Sequence, residues 1–182
     1  MIGKIRKGRS FGGCIRYVTQ KDDAKIIASE GVLLGTAEEM AQSFRWQCLL
    51  NPDVAKPVGH IALSFKPEDA PRLTDAFMTR LAGEYLELMG IRNTQFIVVR
   101  HHGTDNPHCH IVFNRVDFDG KVISDSNDFR RNEKVTKMLK DKYSLTYSEG
   151  KQAVKTEKLY ASERVKYEIY RAVKEALRSA DT

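Results

Sequence analysis

Apolar and polar residues alternate along this chain with two distinct periods, and each period predicts one kind of element. The segment "VGHIALSFK", residues 58–66, alternates with a period of two, which is typical of a strand with one buried face. Ile61 and Leu63 point to the face that we expect to be core, whereas His60 and Ser64 lie on a small, polar face. Apolar strand patterns also occur at 2–6, 24–34, 94–101, 107–117 and 121–124.

Helices are predicted where apolar residues recur three and four positions apart. This spacing indicates helices over about 37–49, 71–89, 130–143 and 157–178, and a Ser-Phe-Gly-Gly entry indicates a short helix over 11–20. Strands grouped as hairpins, with helices between them, predict an α+β fold. We expect a mostly antiparallel central sheet of about five strands, flanked by α-helices.

The length of the chain fits one main domain. A chain of 182 residues with 41% apolar content can bury one sizeable core, and we assign that core to residues 1–150. The region 151–182 holds the last amphipathic helix, whose apolar stripe consists of Val165, Ile169, Val173 and Leu177. We expect this helix either to pack on the domain or to lead into a C-terminal region that is missing.

Cysteine usage and hydropathy predict a soluble, cytoplasmic protein. Cys14, Cys48 and Cys109 are odd in number and far apart, unlike a disulfide framework or a CxxC metal clip. No run approaches the roughly 20 apolar residues that span a bilayer, and the N-terminal segment lacks the apolar stretch of a signal peptide.

Positive charge is concentrated in two segments. The net charge of +6 is modest, so its location matters more than its size. The first segment joins a glycine-rich backbone to basic side chains, which suits close approach to phosphates; its members are Lys4, Arg6, Lys7, Arg9 and Arg16. The second is the predicted helix 130–143, with Arg130, Arg131, Lys134, Lys137, Lys140 and Lys142. A solvated surface explains each segment about as well as a contact with nucleic-acid backbone.

Four of the five histidines lie in "RHHGTDNPHCHIVFNR", residues 100–115. In a strand, a period of two puts His108 and His110 on one face and Cys109 on the other, apolar face. The two histidines therefore share a side that we expect not to be core.

A third histidine joins them if the two neighbouring strands pair antiparallel through the loop 102–107. His101 then lies opposite His108, and Val99 lies opposite His110, all on one face. A single strand histidine is more often solvated than a ligand, but three converging imidazoles predict a metal site. Three protein ligands leave open positions, as in a catalytic centre.

Three further side chains near this cluster are weaker candidates. Asp105 can accept the second ring N–H of a ligand or contact the ion, although Asp105-Asn106-Pro107 is equally a good turn. His60 can reach the site from the polar face of its strand, although a structural histidine is the simpler explanation. His102 is one step out of phase and is expected to point away or to lie in the loop.

Tyr17 differs from the other six tyrosines because it follows a basic Gly-Gly segment and has Arg16 beside it. A free phenol has a pKa of about 10. As a nucleophile it therefore requires activation by a cation or a metal. Phosphate chemistry is the natural use of a metal ion close to such a basic surface.

These segments resemble a known family. "RHHGTDNPHCHIVFNRVDFDGKVIS" looks like the metal motif of the mobilisation relaxases, which are HUH-type (His-hydrophobic-His) single-strand DNA endonucleases. "FGGCIRYVTQKDDAK" resembles the segment of that family that carries the nucleophilic tyrosine, and "GHIALSFKPED" resembles its intervening strand. The likeness covers about residues 3–150. Cys109 replaces the aliphatic residue often found between the two motif histidines, but a cysteine is apolar enough to be buried there.

The resemblance implies a mechanism, a cofactor and partners. Tyr17 would attack a phosphate at an origin of transfer, giving a 5′-phosphotyrosyl intermediate that can be religated during mobilisation or conjugation of a mobile element. His101, His108 and His110 would hold Mg²⁺ or Mn²⁺; Zn²⁺ suits imidazole nitrogens as well. The partners would be single-stranded or supercoiled DNA at the origin, with mobilisation accessory and coupling proteins, and no membrane. Relaxases are often longer, so we expect these 182 residues to be the N-terminal nuclease part.

Two other functions fit parts of the sequence. A non-catalytic DNA-binding accessory module would keep the basic surface, but it would not need both Tyr17 and three converging histidines. A histidine-triad nucleotide hydrolase requires alternating histidines at three strand positions, and Asn106 and Val112 break that pattern.

Overall fold

A computed structural model describes residues 1–147 and six further residues, each of them helical: Val165, Glu168, Ile169, Ala172, Val173 and Ala176. The chain divides into two compact units, Met1–Ser148 and Glu149–Thr182. Val165, Ile169 and Val173 are helical and exposed, whereas Leu177 of the predicted stripe lies outside the described residues. Within the described part of the chain, no helix is long and apolar enough to cross a membrane.

The first unit is built on a five-stranded sheet in which every pair of neighbouring strands is antiparallel. Its strands are β1 (Ile2–Gly8), β2 (Ala24–Glu30), β3 (Val58–Ser64), β4 (Phe96–His101) and β5 (His108–Asn114). The strand order is β1-β3-β5-β4-β2, so the first two strands of the chain form the two edges. The α+β fold predicted from the sequence is confirmed.

Helices cover both faces of this sheet. They are α1 (Phe11–Thr19), α2 (Ala37–Cys48), α3 (Asp75–Leu88) and α4 (Asp128–Tyr143), and a 3₁₀ helix precedes α3 at Pro67–Arg72. Apolar side chains of α1 and α2 form one core with the sheet, and those of α3 and α4 form another on the opposite face.

The core on the α3 and α4 side includes Tyr85, the largest fully buried side chain among the described residues. Ile61 and Ile111 of the sheet are fully buried together with Tyr85 of α3 and Leu139 of α4. Full burial of an aliphatic side chain of this size contributes about 1.5–3 kcal/mol. The hydroxyl of Tyr85 donates to the side-chain oxygen of Asn132 at 2.7 Å, so this burial leaves the phenol paired.

The second core lies on the face that carries the histidines. Val99 and Val112 point to this face in phase with His110. Six buried apolar residues of α1 and α2 pack in the same cluster: Phe11, Ile15, Val18, Met40, Ala41 and Phe44. His110 itself is only 5% exposed. The expectation that this face is not core was therefore wrong, because two helices pack on it.

The packing of α1 decides where its tyrosine lies. Ser10 caps the helix by accepting the N–H of Gly13 at 3.3 Å. Ile15 and Val18 are fully buried against the sheet, which turns the intervening part of the helix outwards. Tyr17 is consequently on the exposed side of the helix, although the helix itself is anchored.

Three predicted elements differ from the structure, either in their bounds or in their kind. Strand β2 stops at Glu30 rather than continuing to residue 34, because Gly31 adopts a positive φ of 62°. Helix α3 begins at Asp75, after Thr74 caps its first turn. The segment 121–124 is not a strand of the sheet, since only Val122 forms an isolated bridge, to Val116.

Two glycines provide a matched test of this packing. A Cβ atom on Gly59 would lie 2.1 Å from atoms of the Phe113 ring, its partner across β3 and β5. We expect Gly59→Ala to destabilise the protein by about 1–3 kcal/mol through overpacking. Gly83 is exposed within α3, and a Cβ there meets nothing within 4 Å. Gly83→Ala should therefore stabilise the protein by about 0.5–1 kcal/mol.

Thermal unfolding of the two variants and the parent protein tests both predictions, the loss of stability in Gly59→Ala and the gain in Gly83→Ala. A melting temperature of Gly59→Ala at or above that of the parent would contradict the close contact between β3 and Phe113.

Candidate active site

Three histidines converge at the ends of β4 and β5. The predicted register is confirmed: His101 pairs with His108, and Val99 pairs with His110. One ring nitrogen from each histidine lies within 4.8 Å of the other two. His101 and His110 are buried, and His108 is half-buried. The geometry therefore allows three imidazoles to share one ion.

The ring of His101 is oriented by the helix that carries Tyr17. Its Nε2 lies 2.8 Å from the carbonyl oxygen of Val18, which belongs to the last turn of α1. Carbonyls in the last turn of a helix lack a partner within that helix. Because a carbonyl only accepts, Nε2 of His101 carries the proton, and its Nδ1 keeps a lone pair.

The ring of His108 is oriented by the loop between the two strands. Its Nδ1 lies 3.0 Å from the carbonyl oxygen of Asn106 and 3.3 Å from the hydroxyl of Thr104. Donation to the carbonyl leaves the lone pair on Nε2 of His108. That atom is 3.1 Å from Nδ1 of His101. Two lone pairs facing each other at this distance repel unless a cation lies between them, which fits a metal site.

The third ring, His110, contacts a fourth histidine. Its Nδ1 lies 3.0 Å from Nε2 of His60, which comes from the neighbouring strand β3. Burial, together with His60, His101 and His108, lowers the pKa of His110 to about 3. Burial also lowers the pKa of His60 and that of His108 below their usual value. Neutral imidazole is the form that binds metals.

Tyr17 lies beside this cluster. Its ring meets the ring of His110 edge-on with centroids 5.7 Å apart, and the ring of His60 with centroids 6.0 Å apart. The side chain is 62% exposed, and its hydroxyl has no hydrogen-bond partner among the described residues. A phenol that is held by its ring, with a free oxygen, is available to a substrate.

Two grooves meet at Tyr17. The basic groove has a volume of about 400 Å³, and its lining includes Lys4, Arg6 and His60. The metal groove has a volume of about 350 Å³, and its lining includes Lys21 and the three converging histidines. Tyr17 lines both, so a chain of phosphates crossing from one groove to the other passes its hydroxyl.

The predicted basic residues do not all face these grooves. Lys7 lines the basic groove, but its ammonium lies 2.7 Å from Asp128 and 3.1 Å from Asp125. Arg16 is 4.0 Å from Glu38, and Arg9 is exposed. The basic residues of α4 lie on the opposite face of the sheet from Tyr17; they are Arg130, Arg131, Lys134, Lys137, Lys140 and Lys142.

The remaining predicted candidates occupy different positions. Asp105 lines the metal groove, but within the described part of the chain it makes no hydrogen bond to the histidine rings. Thr104 and Asn106 contact His108 instead. His102 is outside the cluster, with its Nε2 3.8 Å from Asp75.

Lys21 and Asp23 were missed by reasoning from the sequence. Lys21 follows Tyr17 by four positions, and that spacing is the signal that could have placed it near the site. Asp23 holds the loop that leads to His108: its carboxylate accepts the N–H of Gly103 at 2.6 Å, and its carbonyl accepts the N–H of His102 at 3.2 Å. No local sequence pattern indicates that Asp23 contacts this loop.

A known protein family matches the part of the chain that carries these residues. The family model "Relaxase: MobA/VirD2-like, nuclease domain" matches residues 17–145, a range that contains Tyr17 and the three converging histidines. Among solved structures, the chain is similar to that of "Molecular Basis of Vancomycin Resistance Transfer in Staphylococcus aureus". That likeness has 12% identity and a TM-score of 0.47, and it covers 81% of this chain and 96% of the other.

A TM-score at that level carries no argument about function, and curated proteins give no match. The family model, by contrast, covers well over half of the sequence. The chain therefore belongs to the relaxase family, with a nuclease domain of the MobA/VirD2-like kind.

Proposed function

We propose that this relaxase domain nicks one DNA strand at an origin of transfer, with Tyr17 as its nucleophile. The observation that carries the proposal is the contact of Tyr17 with His110, one of three histidines whose ring nitrogens converge within 4.8 Å. A non-catalytic binding module has no use for an exposed phenol at such a cluster.

The reaction is a transesterification at phosphorus. The phenol of Tyr17 loses its proton as its oxygen forms a bond to the scissile phosphate. The bond from phosphorus to the 3′-oxygen breaks, and that oxygen takes up a proton to become a free 3′-OH, so the step consumes no proton overall. The product is a 5′-phosphotyrosyl enzyme. Because the new ester keeps the energy of the old one, a 3′-OH can attack it in reverse and rejoin the strand.

His101, His108 and His110 would hold a divalent ion beside the phosphate. When bound, such an ion supplies Lewis-acid stabilisation for the charge that builds on the phosphate oxygens. Magnesium prefers oxygen ligands, whereas manganese and zinc accept imidazole nitrogens more readily. We therefore propose Mn²⁺ or Zn²⁺ ahead of Mg²⁺ for this donor set.

The DNA would lie across Tyr17 from one groove to the other. Lys4 and Arg6 in the basic groove and Lys21 in the metal groove would contact its phosphates. The basic residues of α4 are on the other side of the sheet, and α4 packs against the edge strand β1 through Asn132 and Gly3. A longer substrate could reach them around that edge.

Removal of the Tyr17 hydroxyl tests the nucleophile. Tyr17→Phe should abolish the covalent protein–DNA band, because no other described phenol contacts the histidines, and it should leave DNA binding largely intact. The measurement is a denaturing gel of protein incubated with a divalent ion and a labelled single-stranded oligonucleotide spanning the cognate nick site. Tyr147→Phe is the matched control, since it removes an exposed phenol that pairs with Asp141 of α4. A covalent band that survives in Tyr17→Phe would refute the assignment.

Loss of one ligand tests the metal site. We expect His108→Ala, or treatment with EDTA, to slow cleavage by about 100-fold or more because the stabilisation of charge on the phosphate is lost. DNA affinity should change much less. His102→Ala is the matched control, because His102 directly follows His101 in the sequence but lies outside the cluster. Equal cleavage with and without the ion would remove the metal from the mechanism.

The path of the DNA can be tested by salt dependence. Lys4→Gln should lower the slope of log affinity against log salt by about 0.7 for single-stranded DNA, the value for one phosphate contact. Lys134→Gln should have this effect only on oligonucleotides long enough to pass β1. The two variants are compared on short and long oligonucleotides in a filter-binding or anisotropy assay. A full effect of Lys134→Gln on the shortest oligonucleotide that is still cleaved would contradict this path.

A further inference from the structure

The contact between His60 and His110 has a specific consequence for the site. The two residues lie on adjacent strands, where Ala62 pairs with His110 and His60 pairs with Val112. Both side chains point to the face that carries Tyr17, and Nε2 of His60 lies 3.0 Å from Nδ1 of His110. A hydrogen bond between these two nitrogens requires one of them to donate and the other to accept.

We propose that His60 is a positioning residue that sets the tautomer of His110. In this arrangement Nε2 of His60 accepts the Nδ1–H of His110, so that Nε2 of His110 keeps a lone pair for the ion. This inference rests on the proposed role of the three histidines as metal ligands.

His60 is needed because His110 differs from the other two proposed ligands in its hydrogen-bond partner. A neutral imidazole has one proton that can occupy either nitrogen. The carbonyls of Val18 and Asn106 fix that proton in His101 and His108, because a carbonyl never donates. Among the described residues, His110 has no carbonyl partner for its ring. Its hydrogen-bond partner is His60, whose nitrogen can act in either direction.

The opposite direction would disable the cluster. If Nε2 of His60 donated, Nδ1 of His110 would accept, and the proton of His110 would sit on Nε2. That proton would occupy the nitrogen available to the ion and remove one ligand. The arrangement that binds metal therefore requires His60 to carry its own proton on Nδ1. That nitrogen has no protein partner within the described residues, and His60 lines the basic groove, where water can accept the proton.

The same pair of rings also borders the nucleophile. Tyr17 meets both rings edge-on, at 5.7 Å for His110 and 6.0 Å for His60. A rotation of either ring would therefore disturb the packing of the phenol. His60 thus contributes to the metal site through its hydrogen bond with His110 and to the position of Tyr17 through the contact between their rings.

The tautomers can be measured directly by nitrogen NMR of the imidazole rings in metal-free protein at mildly alkaline pH. In the parent protein we expect the proton of His110 on Nδ1. In His60→Ala it should move wholly or partly to Nε2. In His60→Gln the amide oxygen can replace the acceptor, so the proton should stay on Nδ1. His101 and His108 are internal controls, since their carbonyl partners should hold their protons on Nε2 and Nδ1 in every variant.

Metal affinity gives a second readout. Titration of Mn²⁺ and of Zn²⁺ against a competing chelator should show binding about 10–100-fold weaker in His60→Ala, the usual cost of losing a partner of a metal-binding histidine. His60→Gln should restore most of the loss. A purely structural role for His60 would lower the melting temperature without changing the tautomer of His110, and that result would overturn the inference.

The two proposals fail in different ways. A proton on Nε2 of His110 in the parent protein overturns the role of His60, and this measurement uses neither metal nor DNA. It remains decisive even if His60→Ala does not fold. The predicted tautomers together with no covalent DNA band would instead count against the proposed function.

Discussion

The register between β4 and β5 is the constraint on which the site depends. Side chains alternate between the faces of a strand, so a slip of one residue would send His108 and His110 to the opposite core. Cys109 and Ile111 prevent this slip, because both are fully buried on the α3 and α4 side. Moving them to the other face would exchange apolar for polar groups in two cores at once. The hydrophobic pattern of β5 thus specifies the place of its histidines.

Helix α1 brings Tyr17 to the three converging histidines. Phe11, Ile15 and Val18 anchor it to the sheet with at most 3% of their surfaces exposed. Tyr17 and Val18 are neighbours in its last turn, yet one faces the groove and the other gives its carbonyl to His101. The positions of Tyr17, the proposed nucleophile, and of the His101 ring, a proposed metal ligand, are therefore set by the same packing.

Much of this arrangement follows from local patterns in the sequence. Alternation in 58–66 and 107–117 predicts two strands of the sheet, and antiparallel pairing alone predicts that His101 faces His108. The contact of His60 with His110 is less accessible from the sequence, because it requires β3 to lie beside β5, and strand order depends on interactions far apart in the chain. The position of α4 on the opposite face from Tyr17 has the same origin.

Other features cannot be predicted from the sequence, because they depend on backbone groups or on whether a segment has a neighbouring strand to pair with. The carbonyls of Val18 and Asn106 orient the rings of His101 and His108, and a carbonyl is present in every residue, so no residue type marks them. The segment 121–124 has the apolar character of a strand but finds only one bridge, at Val122. An apolar pattern indicates that a segment can pair as a strand, but it pairs only if the fold places another strand beside it.

The hydrogen bond from His101 to Val18 also has a mechanical meaning. In the proposed intermediate a DNA strand is attached to Tyr17, and tension on that strand acts on the last turn of α1. The neighbouring residue in that turn carries the carbonyl that orients His101. In that intermediate, load on the attached strand would act one residue away from the carbonyl that orients His101, a proposed metal ligand.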